Sequence, residues 1–304
     1  MSTGPRHPMP SYLSAALLTI LSGFFFTSSH GIIRYIGGFE IALHPFEIAF
    51  FSNLFSSIFY IPLLAKSGAQ ILRTNKLWLH IIRSFFNAAS LTTFYIALAF
   101  TPLADVTALA LAGPLFVTLG ALFFLGEIIR ARRWIALSLG LLGALIIIRP
   151  GFEEFSIGFL FVILSQICAA GSKLFAKQLT RSDSAVTCSA YVAILQTPIT
   201  LVAALFVWVT PSFEQLLWLA AIGFLVAMAH ITMVQAFKFA DVSALEPYVF
   251  LRLIWAASIG LIAFGEFPGA WTWIGGAIIV AASSYIARRE ATKSNDPTRK
   301  IYLT

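Results

Sequence analysis

An arginine in the middle of an apolar stretch is the residue of this sequence best suited to bind a small molecule. Arg252 has Tyr248 four residues before it and Trp255 three residues after it, so in a helix the three side chains share one face. A guanidinium holds a carboxylate through two parallel hydrogen bonds, and aromatic rings stack on a flat group. The pattern predicts a site for an aromatic zwitterion. Two alternatives stay open: the three residues simply pack, or Arg252 pairs with helix-end carbonyls or with Glu246.

Four more polar or aromatic residues lie inside other apolar stretches, where an unpartnered polar group is costly. Arg83, Asn87 and Tyr95 form a stripe on one predicted helix, and His230 is near the centre of another. We predict that all four bind the same small molecule. The alternatives are that the stripe joins helices, that Arg83 reaches the membrane surface, and that His230 makes a fixed hydrogen bond instead of moving protons.

Two prolines inside apolar stretches predict flexible points. Proline has no backbone N–H, so it frees a carbonyl of the preceding turn and can bend a helix. Pro114 lies in one stretch, and Pro198 lies in another with Gln196 two residues before it. We predict gating hinges at these three residues, with plain packing as the alternative.

The composition requires a membrane around most of the chain. Of the 304 residues, 59% are hydrophobic and 11% are charged, against about 45–50% and about 25% in soluble proteins. A soluble enzyme, a disordered chain and a peripheral membrane protein are thereby excluded. The net charge of +7 comes from basic residues scattered between apolar runs, which gives no basic face for nucleic acid. The two cysteines form no disulfide or metal-binding pattern, and we expect no cofactor.

Ten apolar segments divide the chain. Each is about 20 residues long without alternating polarity, which favours helices that cross the membrane over the strands of a β-barrel. We predict an all-α integral membrane protein of ten transmembrane helices, the first of them retained and not removed as a signal peptide. The segments cover 12–35, 45–65, 78–100, 103–125, 132–149, 157–180, 186–209, 215–238, 243–264 and 271–288.

The basic residues between the segments predict the orientation. Fifteen of them fall on the side that holds both termini, and only Arg34 and Arg149 fall on the other side. Cytoplasmic loops are enriched in lysine and arginine. Both termini are therefore expected in the cytoplasm.

The chain also repeats itself. Residues 104–109 read Ala-Asp-Val-Thr-Ala-Leu, and residues 240–245 read Ala-Asp-Val-Ser-Ala-Leu. Gly126-Glu127 and Gly265-Glu266 lie 139 positions apart, and each pair is followed at the same spacing by Ala and then Trp-Ile. These matches predict a duplicated unit.

The duplication predicts two repeats of opposite orientation, because an odd number of helices in the first copy turns the second upside down. We place the first five-helix repeat at 11–150, the second at 156–290 and a cytoplasmic tail at 291–304. Inverted repeats are the architecture of alternating access, in which a site near the midplane opens to one side of the membrane at a time.

These residues make the sequence similar to the drug/metabolite transporter superfamily, and to its EamA-type branch in particular. The similarity covers essentially the whole chain. It is carried by the ten segments, the twofold repeat and four short motifs: Phe124-Leu-Gly-Glu127, Gly143-Ala-Leu-Ile-Ile-Ile-Arg149-Pro150-Gly151, Leu245-Glu246-Pro247 and Phe264-Gly265-Glu266.

The resemblance implies a multi-pass transporter of the bacterial inner membrane. Members of the family export amino acids and other metabolites, and this chain looks most like the bacterial exporters of aromatic amino acids. One position departs from the family, because Ser52 stands where many relatives have arginine. A role played there by arginine must be absent or filled by another residue.

Other functions stay open with less support. Phosphorylated or nucleotide-linked sugars would need several central cations, for which only Arg252, Arg83 and Lys173 qualify; cationic drugs are a further transport alternative. An integral membrane enzyme would need a catalytic cluster that the sequence lacks, and a membrane sensor is the remaining possibility. We expect a small-molecule substrate, lipid contacts and no nucleic-acid partner, and the sequence is compatible with a monomer. No carboxylate stands at mid-membrane, which leaves facilitated diffusion open beside proton coupling.

Overall fold

A computed structural model describes residues 9–38, 43–67, 73–125, 131–149, 156–179, 182–183, 185–239, 245 and 248–294. Helices make up nearly all of these residues, and no strand occurs among them. The all-α prediction is therefore confirmed for the described part of the chain.

The described helices follow the predicted apolar segments closely. Five stretches of helix are long and apolar enough to cross a membrane. The first begins at Leu13 and the last ends at Met233. In chain order the helices are α1 (Met9–Ile36), α2 (Pro45–Ser67), α3 (Leu77–Phe100), α4 (Leu103–Ala110), α5 (Gly113–Leu125), α6 (Ala131–Ile148), α7 (Ile157–Leu179), α8 (Ala185–Leu205), α9 (Phe213–Phe239), α10 (Arg252–Phe264) and α11 (Ala270–Ser294).

Two predicted segments are interrupted among the described residues and are not single continuous helices. The fourth is interrupted at Leu111 and Ala112, between α4 and α5. Pro114 is the second residue of α5, and its ring and missing N–H disfavour an unbroken helix through the preceding turn. The ninth turns at Phe250 and Leu251, so that α10 begins only at Arg252.

Two helix ends also differ from the prediction. α8 ends at Leu205, four residues early, where a turn bonds the Val207 amide to the Ala204 carbonyl at 3.1 Å. α11 runs on to Ser294 and takes up the start of the predicted 291–304 tail.

The helices pack in a small number of close pairs. α3 lies against α7 and α1 lies against α9, while α6 pairs with α11. α2 contacts both α8 and α9, α8 also contacts α3, α5 contacts α7, and α10 contacts α1 and α4. Helices from the two halves of the chain therefore interleave and do not form separate bundles.

Glycines bring two of these pairs into backbone contact. A Cβ on Gly275 of α11 would lie 2.5 Å from the Gly143 carbonyl of α6, and one on Gly143 would lie 2.8 Å from the Gly275 carbonyl. A Cβ on Gly223 of α9 would lie 2.8 Å from the backbone nitrogen of Ser56 on α2. Small residues permit this close approach, which supplies the van der Waals contact that holds helices together in lipid.

One end of the bundle, here named the Arg34 end, is where α1 and α3 end and α4 begins. The Arg34 guanidinium donates to the carbonyls of Leu98 (2.8 Å) and Thr101 (2.7 Å) and pairs with the Glu266 carboxylate beyond α10. Glu266 also accepts a hydrogen bond from the Leu103 amide at 3.1 Å. One ion pair thus ties four helix ends together.

The opposite end, here named the Asp183 end, has a smaller polar contact between α3 and the connection from α7 to α8. Asp183 accepts from the Thr74 hydroxyl at 2.6 Å and lies 2.7 Å from Nε2 of His80. The hydrogen bond from Thr74, and after it the contacts with His80, hold the pKa of the Asp183 carboxyl below its ordinary value. A lowered pKa means that the contact stabilises the fold above the ordinary range of aspartate and is lost only as the pH falls through the lowered pKa.

Candidate functional site

Arg252 is the first residue of α10, and a glycine on the neighbouring helix makes room for its side chain. A Cβ on Gly23 of α1 would lie 2.8 Å from Cγ of Arg252, so the arginine stem runs directly over the α1 backbone. The guanidinium carbon then lies 4.9 Å from the centre of the Phe26 ring, also on α1. This is a cation–π contact, which gains strength where water is excluded.

Two further ring contacts lie near this arginine. The ring of His230 on α9 meets the Phe26 ring edge-on, with 5.0 Å between their centres. His30 of α1 lies 4.7 Å from Phe94 of α3. Arg252 is close enough to both histidines for an electrostatic interaction.

Trp255, one turn further along α10, extends the same surface. Its ring meets that of Phe24 on α1 at 5.2 Å and a steep angle. The residues Phe24, Phe26, His30, Phe94, His230, Arg252 and Trp255 are here named the Arg252 cluster. It joins α1, α3, α9 and α10 and combines one cation with two imidazoles and four apolar rings.

Two hydrogen-bond donors of the Arg252 cluster are buried and unsatisfied. Nε of Arg252 and Nε1 of Trp255 have no partner among the described residues. Neither of the two ion pairs found in that part of the chain involves Arg252, and Glu246, the alternative partner, lies outside it. A buried donor without an acceptor costs about 1–3 kcal/mol. The arrangement therefore suits a ligand that brings acceptor atoms and a flat ring.

The structure brings together three of the seven predicted binding residues: Arg252, Trp255 and His230. It does not bring in Tyr248, because the chain turns between this residue and Arg252. Residues four apart share a helix face only within one continuous helix, so the spacing does not place these two side chains together. Tyr248 packs instead against the cluster of Ala15, Ala236 and Leu245.

The predicted stripe on α3 contacts α8 and α2. Arg83 donates to the Cys188 carbonyl at 2.8 Å, and Asn87 donates to Oε1 of Gln196 at 2.9 Å. The Tyr95 hydroxyl lies 3.5 Å from the Ser52 hydroxyl. These bonds link helices, as the alternative interpretation of the stripe expects.

Tyr95 also lines a cavity at the Arg34 end. The cavity has a volume of about 400 Å³, and its wall includes Ile33, Glu47 and Val207. Glu47 is fully buried and accepts from the amides of Val209 (2.6 Å) and His44 (3.1 Å), so it caps α2 and holds the turn before α9. Both oxygens of the carboxylate in this wall thus already accept hydrogen bonds from the backbone.

The predicted hinge residues differ in whether the helix is interrupted beside them. Pro114 lies beside the break between α4 and α5, whereas α8 continues through Pro198 without interruption. Gln196 is buried in α8 and bonded to Asn87. Movement at these residues remains a prediction.

Sequence reasoning missed the phenylalanine rings that α1 contributes to the site and one glutamine on α7. The run Phe24-Phe25-Phe26 was a visible signal, since three large rings precede a histidine at helical spacing. Gln166 gave no signal of its own. A Cβ on Gly113, at the break before α5, would lie 2.8 Å from its Oε1 atom, a proximity that only the packing of α5 against α7 creates.

Metal ligation has no support in the described residues. They contain no group of three or more histidine, cysteine, aspartate or glutamate side chains placed to hold an ion.

Comparison with known proteins adds the family context. The sequence profile of the EamA-like transporter family matches residues 13–149 and 156–288. An S-adenosylmethionine uptake transporter of Rickettsia bellii is 30% identical over 257 residues, which cover 84% of this chain and 87% of that protein. A riboflavin transporter of Brucella anthropi is 33% identical over 253 residues, covering 81% and 89%. Neither name refers to an aromatic amino acid.

A solved crystal structure shares the fold. It matches with a TM-score of 0.61 at 20% sequence identity and covers 93% of this chain and 99% of its own. At that identity the likeness concerns the fold alone.

Proposed function

The chain belongs to the EamA-like transporter family, and from this premise we propose that it carries a small metabolite across a bacterial inner membrane by alternating access. The predicted resemblance is confirmed at the level of the family. The choice of cargo, the ten-helix topology and the site residues are parts of the proposal.

Equivalent contacts in the two halves support inverted repeats. The two family matches begin at residues 13 and 156, an offset of 143 that aligns Ile20-Leu21-Ser22 with Ile163-Leu164-Ser165. The Ser22 hydroxyl donates to the Ala229 carbonyl at 2.7 Å, and the Ser165 hydroxyl lies 3.3 Å from that of Ser90. Ser90 lies on α3 and Ala229 on α9, which are counterpart helices of the two halves. Equivalent serines of α1 and α7 thus each bond to the counterpart helix of the other half.

The positions of the helix breaks and the pairs of contacting helices also correspond between the two halves. α5 and α10 have 13 residues each and begin 139 positions apart, so both breaks fall at one position of the repeat. If each helix is replaced by its counterpart in the other half, the α1–α9 pair becomes the α7–α3 pair. In the same way, α2–α9 becomes α8–α3, and α10–α1 becomes α5–α7. All six of these helix pairs are in contact. A twofold relation between the halves accounts for all of them.

The proposed orientation puts the Arg34 end outside the cytoplasm. The excess of basic residues on the opposite side supports it, since loops rich in lysine and arginine stay in the cytoplasm. Interrupted helices near the midplane are where transporters of this architecture bind their cargo, and Arg252 directly follows such an interruption.

The observation that carries the cargo proposal is the unsatisfied Arg252 cluster. Its donors and rings suit a metabolite with a flat ring and a carboxylate or carbonyl, and aromatic amino acids have both. Riboflavin and S-adenosylmethionine, named in two relatives, also carry flat heteroaromatic rings. All three classes therefore enter the first test.

The other transport candidates fit less well. A sugar phosphate would be held by one cation in the cluster, since the described residues add no second lysine or arginine to it. A cationic drug would meet the positive charge of Arg252 without a neutralising carboxylate. An enzyme or a sensor finds no support in the family membership.

The test is uptake into proteoliposomes of labelled phenylalanine, tryptophan, tyrosine, riboflavin, S-adenosylmethionine and a sugar phosphate. We expect saturable entry of one ring-bearing compound and its loss in Arg252→Ala. Arg73→Ala is the matched control, because Arg73 is exposed at the Asp183 end. Entry of none of these compounds into sealed vesicles would refute the cargo class. Equal uptake by the wild type and Arg252→Ala would refute the site.

A further inference from the structure

Gln166 is an amide inside the bundle for which the fold provides no hydrogen bond. It lies ten residues into α7, is half-buried, and has no hydrogen-bond partner among the described residues. Three other side-chain amides are bonded: Asn87 and Gln196 bond to each other, and Gln215 accepts from the Ser212 backbone amide at 2.8 Å. A polar side chain left unpaired in a membrane helix usually has a function.

The position of Gln166 is the counterpart of Gly23 in the first half. The 143-residue offset that aligns Ser22 with Ser165 also aligns Gly23 with Gln166, and the 139-residue offset aligns Gly113 with Arg252. Gly23 lies under the Arg252 stem, and Gly113 lies under the Gln166 amide. In both contacts a Cβ on the glycine would come within 2.8 Å of the polar side chain. The same contact between the two halves thus occurs twice, with the glycine and the long polar residue at exchanged positions of the repeat.

We propose that Gln166 is a second binding residue for the cargo and contacts it beside the break that precedes α5, whereas Arg252 contacts it at the break that precedes α10. This inference rests on the proposed function, because it assumes that both breaks border one central site. A cargo between the two breaks meets a guanidinium on one side and an amide on the other.

The pairing narrows the class of cargo. A guanidinium only donates hydrogen bonds, whereas a primary amide donates and accepts. The cargo should therefore present acceptors to Arg252 and at least one donor to Oε1 of Gln166. An amino acid meets this demand with its carboxylate and ammonium groups, and a heteroaromatic ring meets it with adjacent C=O and N–H groups.

The test compares Gln166→Leu with Gln178→Leu in the proteoliposome assay, using the panel compound that the wild type transports. Gln178 lies on the same helix near the Asp183 end, so the control makes the same chemical change away from the breaks. Loss of a hydrogen bond to a polar cargo should raise KM about tenfold in Gln166→Leu. The maximal rate and KM of Gln178→Leu should stay at wild-type values.

The outcomes separate this inference from the proposed function. If the wild type transports nothing in the panel, the proposed function fails before the variant is measured. If the wild type transports and Gln166→Leu keeps the KM of Gln178→Leu, Gln166 does not bind the cargo.

A second variant covers the case in which Gln166→Leu does not fold, as judged by its melting temperature in detergent. Gly113→Ala places a methyl group 2.8 Å from Oε1 and displaces the amide without changing its chemistry. We expect a raised KM here as well. An unchanged KM in folded Gly113→Ala would overturn the proposal.

Discussion

At the residue scale, Arg252 owes its conformation to its neighbours on α1. Gly23 offers no Cβ, so the stem can cross the helix, and Phe26 faces the guanidinium at 4.9 Å. Packing on a ring compensates part of the lost hydration, by up to about 2 kcal/mol in a desolvated site. The bare Nε atom shows that the compensation is incomplete. A ligand acceptor would complete it.

Phe26→Leu tests the role of this ring. We expect the variant to fold, because leucine fills much of the same apolar space, and to raise KM up to about tenfold because the guanidinium loses its support. Transport kinetics in proteoliposomes provide the measurement. Phe25→Leu is the control, because consecutive residues of a helix project in different directions and Phe25 therefore does not share the face of α1 that Phe26 presents to Arg252. Equal kinetics of the two variants would contradict the role given to Phe26.

The sequence predicted only part of this site, for a physical reason. Arg252 and Trp255 share a helix, so spacing alone joined them, and His230 was visible as a polar residue in an apolar stretch. Tyr248 was joined to them in error because a turn at Phe250 and Leu251 cannot be read from apolar residues alone. Phe26 is far from Arg252 in sequence, and contacts between distant helices leave no local pattern.

At the element scale, helix positions were predictable and their interruptions were not. Length and hydropathy locate an apolar helix because lipid leaves the backbone no other partner. Whether a proline breaks the helix depends on neighbours that replace its lost hydrogen bond. Pro114 lies beside a break and Pro198 does not, although both lie in similar apolar surroundings.

The ion pair at the Arg34 end is the clearest device for holding helices in one arrangement. Arg34 and Glu266 together reach the ends of α1, α3, α4 and α10. In the proposed orientation this network closes the outer side. Transport then requires the pair to separate in each cycle.

Glu266→Gln should therefore open the outer side more often. The amide keeps the shape of the carboxylate but gives up the charge that attracts Arg34, so the closed arrangement loses stability. We expect faster labelling of Ala99→Cys, in the wall of the outer cavity, by a membrane-impermeant thiol reagent. The background should lack Cys168 and Cys188.

Glu214→Gln is the control for this change, because Glu214 is an exposed residue in the first turn of α9 at the same end. The labelling rate in this control should equal that of the parent. A Glu266→Gln rate no higher than the control would mean that the ion pair does not close the outer side.

At the scale of the whole molecule, the internal duplication was readable because both copies keep short motifs at fixed spacing. The packing of helices from one half against helices of the other could not be predicted, because no local sequence pattern indicates which helices of the two copies are in contact. The paired contacts of Ser22 and Ser165, and of Gly23 and Gly113, give the proposed twofold relation its physical content. In the proposed arrangement, two equivalent halves around one site would make inward and outward opening comparable in energy.

This equivalence predicts transport in both directions, with the net flow set by the cargo gradient. The Arg252 cluster contains no carboxylate among its described members, and carboxylates inside the membrane are the usual proton carriers of coupled transporters. We therefore expect unlabelled cargo inside proteoliposomes to accelerate entry of labelled cargo, and labelled cargo to equalise across the membrane without accumulating. Coupling to one proton would instead accumulate the cargo about tenfold for each pH unit of gradient.

The decisive measurement imposes a pH gradient of either sign while potassium and valinomycin clamp the membrane potential at zero. The final internal concentration should match the external one in every case, and exchange should persist. Accumulation that follows the sign of the gradient would contradict facilitated transport. Its loss in His30→Gln or in His230→Gln would then assign the proton to that imidazole, because these two rings are the titratable groups that the cluster places beside Arg252.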